Sequence, residues 1–181
     1  MRGLSLSVEP ASISVPPGAN GAGKTTLQEA PSGVAPQASG AIALSGEAIE
    51  GLRPGARAHW GLAHVEQGRT VFRALTTHEN LHAARRDADT RHAYGLFPEL
   101  EKCRDVRAGL LSGGEKQMPV IARALLMRPK AIPIDKMSAS LAPMVVSQLM
   151  AAVRKLVDGG LAVLPVEQRP RLCSAPRSDR L

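Results

Sequence analysis

Eight consecutive residues, Gly18-Ala19-Asn20-Gly21-Ala22-Gly23-Lys24-Thr25, follow the spacing G-x-x-x-x-G-K-[ST] and lead through Thr26 into a helix-favouring stretch. The chemistry open to such a run is the grip of a polyphosphate. Its glycines let backbone N–H groups turn inward around phosphate oxygens, the Lys24 ammonium reaches the terminal phosphates, and the Thr25 hydroxyl suits Mg2+. A helix beginning at Lys24 adds the partial positive charge of its N-terminus. A second candidate is Ser112-Gly113-Gly114, ahead of a second helix-favouring run, where the Ser112 hydroxyl can cap the helix.

These groups need a scaffold, and the order of elements supplies one. Residues 4 to 15 (LSLSVEPASISV) alternate like short strands ending at Pro16 and Pro17. A short helix from Lys24 to about Ala30 follows, stopped by Pro31 and Gly33. The alternation AIALSGEAI from Ala41 to Ile49 reads as an edge strand with a turn at Gly46. Between Arg69 and Leu110 the chain is charged and helix-favouring, as an inserted helical lobe would be. His78, His82 and His92 fall within it at spacings that no carboxylate or thiol completes into a metal site, so they read as solvated helix positions. Beyond Ser112 come a helix through Lys116 to Met127, an apolar strand from Lys130 to Asp135, a helix from Ala142 to Val157, and a strand from Leu161 to Val166. Strands alternating with helices predict an α/β fold around a mostly parallel sheet.

The bulk properties narrow the classes. A chain of 181 residues suits one domain, and its 44% hydrophobic content includes just four aromatics, Trp60, Phe72, Tyr94 and Phe97, so the core is aliphatic. There are 23 basic and 16 acidic residues, a formal charge of +7, which favours approach to polyphosphates or acidic surfaces. No basic run is interleaved with aromatics for base stacking, which argues against a nucleic-acid partner. Cys103 and Cys173 form no CxxC pair, and a reducing, cytoplasmic location is expected. Nowhere do about 18 apolar residues run uninterrupted, so no membrane-spanning helix is expected.

The segment Leu111-Ser-Gly-Gly-Glu-Lys-Gln-Met118 resembles the LSGGQ or LSGGE signature of ABC-type ATPases. The resemblance extends over GANGAGKTTL, HVEQGRTVFRALTTHENL, LSGGEKQM, SASLAPMVV and VEQ, from about Gly3 to Gln168, and within the superfamily it is similar to the smaller ATP-binding subunit of branched-chain amino acid importers. It implies a P-loop NTPase core with an inserted helical lobe at about 69–118, one nucleotide-binding domain over 1–168, and a basic, irregular tail over 169–181. It also implies ATP and Mg2+ as cofactors, with Gly18 to Thr26 on the phosphates, and Thr25, Gln67 and Asp135 around the metal. Ser112, Gly113 and Gly114 would reach the γ-phosphate of ATP held by a second, head-to-tail ATP-binding subunit. Gln168 takes the switch position. The partners implied are ATP, transmembrane permease subunits and that second subunit, identical or related, and the location implied is the inner face of the cell membrane, through the permease. Urea or short amides are the alternative cargo.

The chain departs from the family where the chemistry is most demanding. After Asp135 the resemblance calls for the Glu that polarises the attacking water, and here Lys136 stands instead. A charged ammonium has no lone pair with which to orient water, so the resemblance implies an ATPase with doubtful hydrolysis; a non-catalytic or decayed relative is the alternative. Pro119, Pro133 and Pro165 fall within expected helix or strands, each deleting a backbone donor. The family also begins with strands carrying an aromatic for adenine, and no aromatic precedes Gly18; with the switch residue close to the end, the fold is expected to be incomplete at both ends.

Overall fold

Two strands with near-continuous apolar sequence organise the molecule: AIPID forms β3 (Ala131–Asp135) and AVLPV forms β4 (Ala162–Val166). The computed structural model of the chain describes residues 3–16, 21–66, 71–135 and 143–166; Gly18, Ala19, Asn20, Gln67, Lys136, Gln168 and the tail 169–181 lie outside the described residues. Strands buried on both faces read as continuous apolar runs, and these two pair in parallel, from Ala131 opposite Ala162 to Asp135 opposite Val166. The crossover between them contains α7 (Pro143–Asp158), which buries Val146, Leu149, Met150, Ala152 and Val153 at helical spacing and packs on β4. Gly160, at φ 102, makes the turn into β4.

Both prolines expected to break the sheet lie inside these strands, and the hydrogen-bond pattern explains why the strands survive. The β3–β4 ladder uses the even-numbered residues, with Ala162 N–H donating to Lys130 O. The odd-numbered residues of β3 face the segment 61–65: Ala131 N–H donates to Gly61 O, and Asp135 N–H to Val65 O. Residue 133 is the donor between them, and proline leaves the Ala63 carbonyl without it. On the other flank Val163 N–H donates to Ser12 O and Ser14 N–H to Val163 O, so residue 165 is the next donor, toward Ser14 O, and is again proline. Each proline therefore spares the central pair and weakens its outer neighbour. Those neighbours pair only as single bridges, Ile13 with Val163, Leu62 with Ala131, and Val65 with Ile134. Of the strands expected over residues 4 to 15, the Ile13 bridge to Val163 is what the described residues keep.

The N-terminal elements are small. Helix α1 (Lys24–Ser32) runs through Pro31, past the expected stop, at the loss of the one bond that residue 31 would donate to Leu27 O, and Gly33, at φ 76, ends it. The expected edge strand is a hairpin of β1 (Ala43–Leu44) and β2 (Glu47–Ala48), turned by Ser45 and Gly46 at φ 54 and 83. Helix α2 (Pro54–Trp60), which the sequence reading did not contain, begins with proline at its first turn. Its buried Arg57, 5% exposed, donates to the carbonyls of Ala30, Pro31, Leu52 and Glu50, tying the C-terminal end of α1 to the hairpin connection.

Between these halves lie α3 (Thr77–His82), α4 (Thr90–Leu96), α5 (Pro98–Lys102) and a 3-10 turn, Ala108–Leu110, all ahead of α6 (Gly113–Leu126). Leu81 and Leu100 from these helices, with Phe97 between α4 and α5, join Ile121 of α6, Leu149 of α7 and the strand residues Ile132 and Val163 in one core. Helix α6 continues through Pro119, which is buried. His78 departs from the solvated position expected of it: Nδ1 lies 2.8 Å from the Tyr94 hydroxyl, and the ring meets His82 edge-on at 4.6 Å. Burial, with Arg104 and His82 nearby, pushes His78 below the usual imidazole range. Among the described residues, no group of three or more His, Cys, Asp or Glu side chains could hold a metal ion.

Candidate functional site

The site is built where α1 meets the carboxyl end of β3. Gly21 and Gly23 take φ of 83 and 86, the left-handed region that favours glycine, and Gly23 is the residue from which α1 starts. With Lys24 and Thr25 in its first turn, α1 turns the positive end of its dipole toward the loop that precedes it. The Thr25 hydroxyl donates to Asp135 Oδ2 at 3.2 Å, a contact between residues 110 apart in sequence. Asp135 is 4% exposed, and its other oxygen, Oδ1, is buried without a hydrogen-bond partner among the described residues.

That orphaned oxygen is a test of fit for a divalent cation. Burying a carboxylate oxygen without a partner is unfavourable, and a hydroxyl beside a carboxylate at a strand end is the oxygen donor set that Mg2+ takes together with phosphate and water. Thr25 and Asp135 therefore fit the group that the motifs call for. Gly21, Ala22 and Thr26 are exposed and Lys24 is half-buried, which leaves the loop end of α1 open to a ligand.

The second set of candidates forms the N-terminus of α6. Ser112 Oγ accepts from Glu115 N–H at 3.3 Å, and Glu115 Oε2 accepts from Ser112 N–H at 2.8 Å, closing a capping box. These bonds from Ser112 hold the Glu115 carboxyl below its usual range. Ser112 and Gly113 are exposed, so this helix end is open to the surface.

A family described as "ABC transporter" matches residues 1–139. The high-affinity branched-chain amino acid transport ATP-binding protein BraG of Pseudomonas aeruginosa is 38% identical over 172 residues, covering 91% of this chain and 74% of its own. The chain belongs to the ABC transporter ATP-binding family. A second relative, the lipopolysaccharide export system ATP-binding protein LptB of Escherichia coli, is 34% identical over 177 residues, 93% of this chain and 73% of its own. Among solved structures, the ADP conformation of MJ1267, an ATP-binding cassette of an ABC transporter, superposes with a TM-score of 0.76 at 26% identity, covering 92% of this chain and 74% of that one. The fold is that of the ABC ATPase cassettes, a P-loop NTPase fold, and no described helix is long and apolar enough to cross a membrane.

Within this ABC ATPase fold the structure adds polar residues that sequence reasoning passed over. Gln28, with no exposed surface, donates from Nε2 to the carbonyls of Ile134 in β3 and Leu164 in β4. Ser32, one turn on, donates to Gln28 O at 2.7 Å, and its oxygen lies 2.9 Å from His64 Nδ1. His64 in turn lies 3.7 Å from Glu66 Oε1, in the segment leading to Gln67. Their sequence signal was helical spacing: Gln28 and Ser32 follow Lys24 at intervals of four, which places all three along one stripe of α1.

Proposed function

We propose that this chain is the ATP-binding subunit that energises import of branched-chain amino acids, binding MgATP at Lys24, Thr25 and Asp135. The observation that carries the reading is the Thr25–Asp135 contact with its unpartnered buried carboxylate oxygen, one residue from Lys24. Lys24 and the N-terminus of α1 supply positive charge to the terminal phosphates, and the glycines ahead of them allow the backbone close approach. Mg2+, when bound, neutralises charge on the phosphate oxygens, with Thr25, Asp135 and Gln67 around it. Ser112, Gly113 and Gly114 serve a second ATP-binding subunit in a head-to-tail pair, and the exposure of Ser112 and Gly113 supports this.

The likeness to BraG favours branched-chain amino acids as cargo. The permease partner is supported by an apolar surface of Phe72, Val106 and Leu110, exposed by 52%, 37% and 79%. The backbone joins the two segments that carry it, with Gly109 N–H donating to Arg73 O at 3.0 Å. Large apolar side chains left exposed on neighbouring segments are what an interaction surface would offer. Through such a permease the subunit sits on the inner face of the membrane, with the helices of 69–118 as the lobe that meets it.

A second reading, ATP binding without turnover, has Lys136 in its favour. An ammonium beside the terminal phosphate strengthens binding but cannot take the proton of an attacking water.

Isothermal titration with MgATP on the chain and on Lys24→Ala tests the first reading. Saturable binding that the variant loses is expected, and a folded chain that binds no MgATP overturns it. Lys136→Glu then decides between the two: hydrolysis rises if Lys136 is the block, and an unchanged rate in a folded, ATP-bound variant removes Lys136 as the explanation.

A further inference from the structure

We propose that Gln28 is a positioning residue, a brace that holds Thr25 on α1 in register with Asp135 on β3. The inference rests on the nucleotide-binding reading above and assigns a role to a residue outside the recognised motifs. Gln28 Nε2 donates to Ile134 O at 3.1 Å and to Leu164 O, so one amide joins α1 to both central strands. Ile134 is covalently joined to Asp135, and Thr25 lies one helical turn before Gln28. The brace and the 3.2 Å Thr25–Asp135 bond therefore close a short cycle of one helical turn and one strand residue.

The amide orientation follows from its surroundings, because two carbonyl oxygens can be met only by the NH2 group. The consequence is that Oε1 is buried without a hydrogen-bond partner among the described residues. A methionine would fill similar volume with no such orphan, so a glutamine is a poor choice for packing alone. What it adds is directional: two bonds aimed at fixed backbone atoms set the height and rotation of α1 over the sheet. Pro133 and Pro165 take outward donors from the same two strands, so the pair depends more on what α1 contributes. Groups that orient metal ligands are felt in metal affinity, and Gln28 stands in that relation to both Thr25 and Asp135.

The test is ATP affinity measured with Mg2+ and with EDTA, together with a thermal melt, for the wild-type chain, Gln28→Met, Gln28→Asn and Leu27→Ala. Gln28→Met keeps the volume and removes the donors; Gln28→Asn is too short to reach both carbonyls and supplies the answer if methionine prevents folding. In a folded Gln28 variant the gain in affinity that Mg2+ brings is expected to fall by about tenfold or more, while affinity in EDTA changes little. Leu27→Ala removes half-buried apolar contact from the same helix; its melt should fall and its Mg2+ gain should remain, which separates positioning from general stability. A full Mg2+ gain in a folded Gln28 variant overturns the proposal. A wild-type chain that binds no ATP overturns the nucleotide reading and this inference with it, and that result is seen before any variant is made.

Discussion

Gly113 and Gly114 are neighbours at the start of α6, yet a methyl group would meet different surroundings at each. At Gly113 nothing lies within 4 Å of where a Cβ would be, whereas at Gly114 it would lie 3.3 Å from Val145 Cγ2 on α7. Alanine in place of helical glycine restricts the unfolded chain and favours the helix by up to about 1 kcal/mol. Gly113→Ala is therefore expected to raise the midpoint of denaturant unfolding, and Gly114→Ala to raise it less or lower it, because the α6–α7 contact must open by a few tenths of an ångström. Equal stabilisation by both would show that Val145 yields freely. A glycine at 113 that this chain's own packing does not require fits a position kept open for a close approach from outside, which is what the proposed head-to-tail partner demands. The same logic separates Gly33, whose Cβ would press on the Arg57 guanidinium at 3.3 Å and whose φ is 76: there the requirement is internal.

At the scale of the element, the prolines locate the weakness of the sheet. Both interrupt outward-facing donors, so restoring an N–H should strengthen pairing between the central strands and their flanks without altering the central ladder. Pro133→Val is expected to stabilise by about 1 kcal/mol through a new bond to Ala63 O, and Pro165→Val by a similar amount through Ser14 O. Thermal unfolding with hydrogen exchange at residues 133 and 165 checks this: a protected new amide with a higher melt is the expected outcome, and an unprotected amide would show that the flanking segments do not close. This also explains how much of the fold was legible. From Ser112 onward the sequence carried its own punctuation, a capping serine and two apolar runs, and the elements lie within a residue or two of expectation. The alternation of residues 4 to 15 misled, since among the described residues that stretch pairs through the Ile13 bridge alone, and α2 was invisible because its hold on the fold is the buried Arg57, which no local pattern announces.

Taken as a whole, the molecule concentrates its connections at one place. The Lys24 helix touches β3 and β4 through Gln28, reaches the 61–66 segment through Ser32 and His64, and is held at its far end by Arg57. Motif spacing pointed to Lys24 and Thr25, because ligand chemistry fixes residue type, and the family resemblance pointed to Asp135; the buried polar side chains behind them were not readable, because their partners are backbone atoms brought close only by folding. A ligand at Thr25 and Asp135 should therefore stabilise the fold globally, since unfolding any of these elements would dismantle its site. Binding at about 100-fold excess over Kd adds roughly 2.7 kcal/mol. For a chain of this length each kcal/mol raises Tm by about 2–4 °C, so MgATP should raise it by roughly 5–10 °C. Chelating Mg2+ should remove most of that rise in the presence of ATP, and Lys24→Ala should remove it altogether. A single cooperative transition that moves with MgATP would show that the proline-weakened sheet and the site unfold together. A transition that splits, with one part insensitive to nucleotide, would show instead that α1 and the central strands form a unit separable from the helices of 77–102.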